Sequence, residues 1–235
     1  LTPKQMTMLC GQVGALSWLS TNVRMDLSFG THELSKIIGN ATIKDLKTSN
    51  PLVRRAMKRQ NKIVYRSVGK PEDLVVYAFS DAAYQLDGKS TGGQIILIGN
   101  KHDTRVSPIG WKSKLIRKAC RSSKDAELLT LSTVCDQAIH VGKQLEEVLY
   151  RKKNGDRYKP VIFTDNACTL ESIVSSKLIE RRYLRPEVNI LKEFVKEKIV
   201  ECIVWLPDEL MIADILTKEK VTKIGVMEMF CYGEL

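Results

Sequence analysis

At 235 residues the chain is long enough for one large domain or two smaller ones, and 43% apolar with 27% charged residues is ordinary globular composition. Apolar runs reach about five residues against the ~20 a membrane helix needs, and no basic and apolar leader follows Leu1, so neither a membrane span nor a signal peptide is expected. Net charge is +10: residues 1–72 hold 12 Lys and Arg against 4 Asp and Glu (+8) and the rest 25 against 23 (+2), a basic excess concentrated in 44–70 that points to nucleic-acid contact.

In chain order, Met6, Leu9, Val13, Leu16 and Leu19 or Ser20 recur at helical spacing and predict an amphipathic helix over 4–20. A second apolar pattern runs through Leu27, Phe29, Leu34, Ile37 and Ile38 to a Gly39-Asn40 stop signal. A third helix is expected after Ser49, with Asn50 as N-cap and Pro51 in the first turn, carrying Arg54, Arg55, Lys58, Arg59 and Lys62. Residues 1–66 thus read as helical and basic. The character changes at Lys70-Pro71-Glu72-Asp73. Strands are expected at 74–81, 92–99 and 106–111, with Leu86-Asp87-Gly88-Lys89 as the first turn, which makes a meander. A long helix follows, capped by Ser122 with Asp125 three residues on, its apolar stripe running from Leu128 to Leu149. The short apolar strand in 159–166 reads as parallel and central. Helices at 167–175 and about 185–198, a strand at 201–207 and a short helix at 208–218 with Asp208 as N-cap complete the order. The six cysteines form no Cys-x-x-Cys pair and have no His at zinc-ligand spacing, which argues against zinc and fits a reducing compartment. A first residue other than Met fits a piece of a longer polypeptide.

Four acids stand out by position. Asp81 ends the most apolar strand, on the face of Val75, Tyr77 and Phe79, where an unpaired carboxylate needs a partner or a route to solvent. Glu127 lies in the first turn of the long helix, in phase with Leu131, Val134 and Ala138. Asp165 ends the central strand, where α/β folds build their sites, and Asp214 sits inside the apolar stretch LMIADILT. Each has a plain structural alternative: a turn acid, a first-turn acid at a helix dipole, an N-cap and a solvent-facing residue. Adjacent placement of the first and fourth strands would bring Asp81 and Asp165 together, with Glu127 and Asp214 delivered by the helices. Two like charges 4 Å apart repel by about 4 kcal/mol at an effective dielectric of 20, so such a cluster either takes up protons or binds cations. All-oxygen donors point to Mg²⁺ or Mn²⁺, and a pair of such ions serves phosphodiester cleavage.

In order, FSDAAYQLDGKSTGGQIILIG, PIGWKSK, RSSKDAELLTLS, VIFTDNACTLESI and WLPDELMIADILTK resemble the motifs of the ribonuclease H domain of copia-type retrotransposon polyproteins. The upstream GQVGALSWLSTNVRMDLSFGTHELSK resembles the segment that joins the polymerase to that domain. The likeness covers roughly 10–218. It implies an α/β fold with a ribonuclease H-like five-stranded mixed sheet flanked by helices and preceded by a basic helical segment. The implied division is a connection or thumb-like segment at 1–70, the ribonuclease H-like domain at 71–218 and a tail at 219–235. It also implies two Mg²⁺ (or Mn²⁺) ions on Asp81, Glu127, Asp165 and Asp214, and cleavage of the RNA strand of an RNA/DNA hybrid during reverse transcription. The polymerase portion of the same polyprotein is the implied partner, and the cytoplasm, in a virus-like particle, the implied location, with the nucleus also open. Lys112, Lys114, Arg121 and Asn166 are candidate nucleic-acid contacts. The chain departs from the family in reading SSKDAE where many members read SSTEAE, and in having no His after His140. No Tyr-x-Asp-Asp motif occurs, so no polymerase activity is expected. A catalytically silent binding module and an integrase-like DNA nuclease remain the alternatives.

Overall fold

The computed structural model describes residues 1–58, 63–151, 156–175, 181–219 and 233. Among them, no helix is long and apolar enough to cross a membrane.

Three helices come first: α1 (Pro3–Asn22), α2 (Ser28–Ile37) and α3 (Ile43–Lys58). The first is opened by a capping box between Thr2 and Gln5. Leu9, Val13, Leu34 and Ala41 form a small core of their own, with Leu46 and Leu52 packed against it. The third helix corrects the expectation made from Asn50 and Pro51. It begins seven residues before Asn50, and Pro51 lies inside it. An interior proline removes one helical hydrogen bond at a cost of about 3 kcal/mol. Contacts on both sides of Pro51 hold the helix together: Ser49 is fully buried and its hydroxyl donates to Gln12 Oε1 and Leu46 O, while Leu52 packs where any side chain on Gly30 would have to go. Arg59 and Lys62 lie outside the described residues. Residues 63–70 carry no regular secondary structure, so the helical reading of 1–66 stops short.

The sheet has five strands in the order β3-β2-β1-β4-β5: β1 (Leu74–Ala83), β2 (Thr91–Asn100), β3 (Val106–Leu115), β4 (Val161–Thr164) and β5 (Cys202–Trp205). The first three form the expected antiparallel meander, and β4 pairs in parallel with both β1 and β5. Gly88, at φ +77°, closes the first turn in a backbone conformation that favours glycine. This is the mixed sheet flanked by helices that the resemblance implies. One face, bearing Val76, Ala78, Ile96 and Ile162, is covered by α4 (Ser123–Tyr150) through Leu128, Leu131, Cys135 and Ala138, with α5 (Ala167–Val174) and α6 (Arg185–Lys196) beside it. The other face, bearing Phe79, Ile95, Leu97 and Trp111, is covered by Met211–Leu216 and by Met25 from the helical segment. That segment docks on β3 as well: the buried Trp111 indole N–H donates to Ser20 O at 2.6 Å.

The last element also differs from expectation. Residues 208–218 form two 3-10 turns, Asp208–Leu210 and Ile212–Leu216, separated by Met211 in an extended conformation. Asp208 sits in the first turn without capping it, and its carboxylate meets Lys218 instead. Of the expected tail, only Glu219 and Gly233 are described, and Gly233 O accepts the Val106 N–H at 2.9 Å.

Candidate active site

The two-residue period of β1 sends Val76, Ala78 and Ser80 toward α4 and Phe79 and Asp81 toward the 3-10 turn. The parallel register stops at Ser80 paired with Thr164, so Asp165 leaves β4 directly beside the end of β1. The Trp205 indole of β5 donates to Asp165 O at 2.9 Å and fixes that exit. Asp214 arrives from Ile212–Leu216. Carboxylate oxygens of Asp81, Asp165 and Asp214 all lie within 4.8 Å of one another. Asp81 and Asp214 are each 2% exposed, and Asp165 is half-buried.

Glu127 stands beside this trio and not within it. It is buried on α4, and its Oε1 accepts the Ala82 N–H at 3.3 Å. Its Oε2 is buried without a hydrogen-bond partner. Burial, with the charges of Asp81 and Asp165 adding to it, pushes the Glu127 carboxyl up to about 9. Asp81 is pushed up to about 6, first by burial, with the Thr217 hydroxyl opposing and Asp214 adding. Asp165 is raised by burial and by Asp214. An acid cluster so reluctant to ionise, with an orphaned buried oxygen and oxygen donors alone, fits divalent metal binding.

Two residues of the site escaped the sequence reading. Thr217 Oγ1 donates to Asp81 Oδ2. Lys218 Nζ meets Asp214 Oδ1 at 2.8 Å and Asp208 Oδ1 at 3.2 Å. Burial lowers the Lys218 pKa most, but Asp214 and Asp81 together outweigh it and hold the ammonium above its usual range. The i, i+4 spacing of Asp214 and Lys218 was the available signal.

The turn reaches Asp81 because of Gly93. Gly93 is the cross-strand partner of Asp81, and a Cβ on it would lie 2.8 Å from Thr217 Cγ2, 3.0 Å from Leu216 Cβ and 3.1 Å from Ala213 O. Nothing larger than hydrogen fits between the sheet and this turn.

Of the four candidate nucleic-acid contacts, only Asn166 adjoins one of the acids in the chain. Lys112 and Lys114 are exposed on β3, two strands from β1, and line a groove of about 450 Å³ with Gln94, Thr130 and Thr133. The Arg121 guanidinium lies 5.1 Å over the Tyr183 ring. Asn166 follows Asp165, but its Oδ1 caps α5 by accepting the Thr169 N–H at 2.8 Å. The cap that the sequence left open for Asp165 therefore falls one residue later. The start of α4 is held by Asp125, fully buried, which accepts from Arg121 N–H, the Ser122 and Tyr183 hydroxyls and Arg181.

No family model matches the chain, and no curated protein matches it. Among solved structures it is similar to the N-terminal RNase H domain of an Rv2228c fusion from Mycobacterium tuberculosis, at 14% identity over 66% of this chain and 94% of that one, TM-score 0.43. It is similar to LC11-RNase H1, isolated from compost by a metagenomic approach, at 15% identity over 65% and 98%, TM-score 0.42. A crystal structure of LC11-RNase H1 in complex with an RNA/DNA hybrid matches at 14% identity over 64% and 98%, TM-score 0.40.

Proposed function

We propose that the protein is a metal-dependent endonuclease that hydrolyses the RNA strand of RNA/DNA hybrids, the ribonuclease H part of a copia-type retrotransposon polyprotein acting during reverse transcription. The observation that carries this reading is the convergence of Asp81, Asp165 and Asp214 from three separate elements, with the unpartnered oxygen of Glu127 beside them. The substrate comes from the ordered sequence motifs and not from the geometry. In this reading 1–70 is the connection to the polymerase portion, 71–218 is the nuclease and 219–235 is a tail. The same reading expects no polymerase activity from the chain and places it in the cytoplasm, in a virus-like particle, with the nucleus also open.

The four carboxylates would hold two Mg²⁺ or Mn²⁺ ions. Bound there, the ions supply Lewis-acid charge that makes water a nucleophile near neutral pH and offsets charge on the leaving oxygen. The chain's own residues do the rest. β1 and β4 hold Asp81 and Asp165 at adjacent strand ends, Thr217 orients the Asp81 carboxylate, and Glu127 is buried on α4 with its Oε1 fixed by the Ala82 N–H. Lys218 balances part of the negative charge at Asp214.

Titrating the chain with Mn²⁺ and following the free-ion EPR signal tests the metal arm. Two saturable ions per chain are expected, with affinity falling as pH drops below about 9, where Glu127 takes up its proton, and more steeply below about 6, where Asp81 does. Absence of saturable binding at pH 8 contradicts the reading.

A further inference from the structure

The acids of the helical segment are all engaged. Residues 1–58 contain three, Asp26, Glu33 and Asp45. Asp26 pairs with Arg24, Glu33 pairs with Lys36, and the Asp45 carboxylate accepts from the Thr42 N–H and hydroxyl. Cations on α3 are left over. Lys44, Lys47, Arg54 and Lys58 are exposed, and among the described residues none of them forms an ion pair. At about 100° per residue the four fall within an arc of about 80°. That arc lies opposite Leu46, Ser49 and Leu52, which pack on α1 and α2. The stripe is about 21 Å long at a rise of about 1.5 Å per residue. Its members stand about 4.5–10.5 Å apart along the axis, close to the screening length of ~8 Å, so their fields add.

The C-terminal end of this stripe is tied to the element that carries Asp214. The buried Arg24 guanidinium donates to Ala56 O at 3.1 Å and to Arg55 O at 3.3 Å, and Arg55 donates to Asp26 O at 3.4 Å. Met25, next to Arg24, packs with Met211–Leu216 against the sheet.

We propose that the exposed face of α3 is an interaction surface for the phosphate backbone of a nucleic-acid duplex, which runs from the acids onto the helical segment. That the duplex is an RNA/DNA hybrid rests on the nuclease reading. The occupant follows from charge and shape. One strand of a duplex carries a negative charge every ~3.4 Å of axis, so about six phosphates face a straight stripe of this length. The arc holds only the four cations and Pro51, so its contacts go to phosphates and carry no base sequence. An anionic membrane would need an apolar face beside the cations. Leu46 and Leu52 are turned inward, and the exposed Ile43 and Met57 lie at the two ends of the helix, about 21 Å apart.

The test measures binding of a fluorescein-labelled RNA/DNA hybrid to the full chain in EDTA, by anisotropy, across a series of chloride concentrations. The logarithm of the association constant falls linearly with the logarithm of salt, in proportion to the phosphates neutralised. Lys44→Gln, Lys47→Gln, Arg54→Gln and Lys58→Gln are each expected to flatten that slope by about 1, and the fourfold variant by about 4, equally for hybrids of unrelated sequence. Lys143→Gln, exposed on the C-terminal half of α4, is the control and should keep the wild-type slope. The substituted side chains are exposed, so every variant should melt as the wild type does. A fourfold variant with the wild-type slope, or a wild type that does not bind the hybrid, overturns the proposal and leaves a solvated face. Phosphatidylserine vesicles in the same buffer test the other anionic surface: vesicle binding lost in the fourfold variant while hybrid binding is unchanged also overturns it. No cleavage enters the measurement. A chain that shows the slope change and never cuts RNA therefore overturns the nuclease reading and leaves this surface standing.

Discussion

Asp165→Asn is expected to reduce cleavage of RNA in a hybrid by roughly 10³-fold or more while leaving the fold intact. Asparagine keeps the shape of the side chain, and the bond from the Trp205 indole goes to the backbone of residue 165, so the exit from β4 survives. What is lost is one anionic oxygen donor from a set of three within 4.8 Å. Charge stabilisation by a held cation is worth several kcal/mol, and about 1.4 kcal/mol is a factor of ten in rate. The same variant should be more stable than wild type in EDTA. The folded-state pKa values of Asp165, Asp81 and Glu127 are raised, so over this window the folded chain binds more protons than the unfolded one. Stability therefore falls as pH rises from the unfolded carboxylate range through the folded values, by up to ~1.4 kcal/mol per pH unit for each group. Removing Asp165 removes its own share and relieves its neighbours. Melting curves in EDTA should show Asp165→Asn above wild type at pH 8, with the difference closing near pH 4. A variant that melts as wild type and cuts at the wild-type rate contradicts the assignment.

Gly93→Val is the second large effect, and it touches no acid. A Cβ at this position already meets Thr217, Leu216 and the Ala213 carbonyl at 2.8–3.1 Å, and valine adds two methyl groups. Overpacking of this kind costs about 1–3 kcal/mol, and the turn that carries Asp214 and Thr217 has to move away from Asp81. A displacement of about 1 Å at a catalytic group can lower the rate 10²-fold. Gly110→Ala is the matched control, because it lies in the neighbouring strand and a Cβ there meets nothing within 4 Å. Cleavage by Gly93→Val should fall about 10²-fold or more, and cleavage by Gly110→Ala should stay at the wild-type level. Equal activity of the two would show that the close approach at Gly93 does not position the site.

Much of this candidate site was legible in the sequence because three of its acids stand on periodic patterns. Asp81 follows the two-residue period of an apolar strand, Asp165 ends a continuously apolar one, and Glu127 shares the phase of the stripe that α4 buries. The strand order then does what those patterns anticipate, since β1 and β4 are neighbours. What stayed hidden depends on contacts between distant segments. The Pro51 rule is local, and it gives way to Ser49 and Leu52 packing on α1 and α2. The pairing of Lys218 with Asp214 needs the turn over Ile212–Leu216 to wind back on itself, with Thr217 and Lys218 N–H groups both reaching Asp214 O. Gly93 reads as an ordinary strand residue until the turn is seen lying on it.

The most direct test of the central claim is cleavage by the wild-type chain of an end-labelled RNA strand in three settings: paired with DNA, single-stranded, and replaced by DNA in a duplex. The account predicts cutting of the RNA in the hybrid alone, in Mg²⁺ or Mn²⁺, abolished by EDTA. Hybrid binding in EDTA with no cleavage in either metal, or duplex DNA cut as readily as the hybrid, would contradict it.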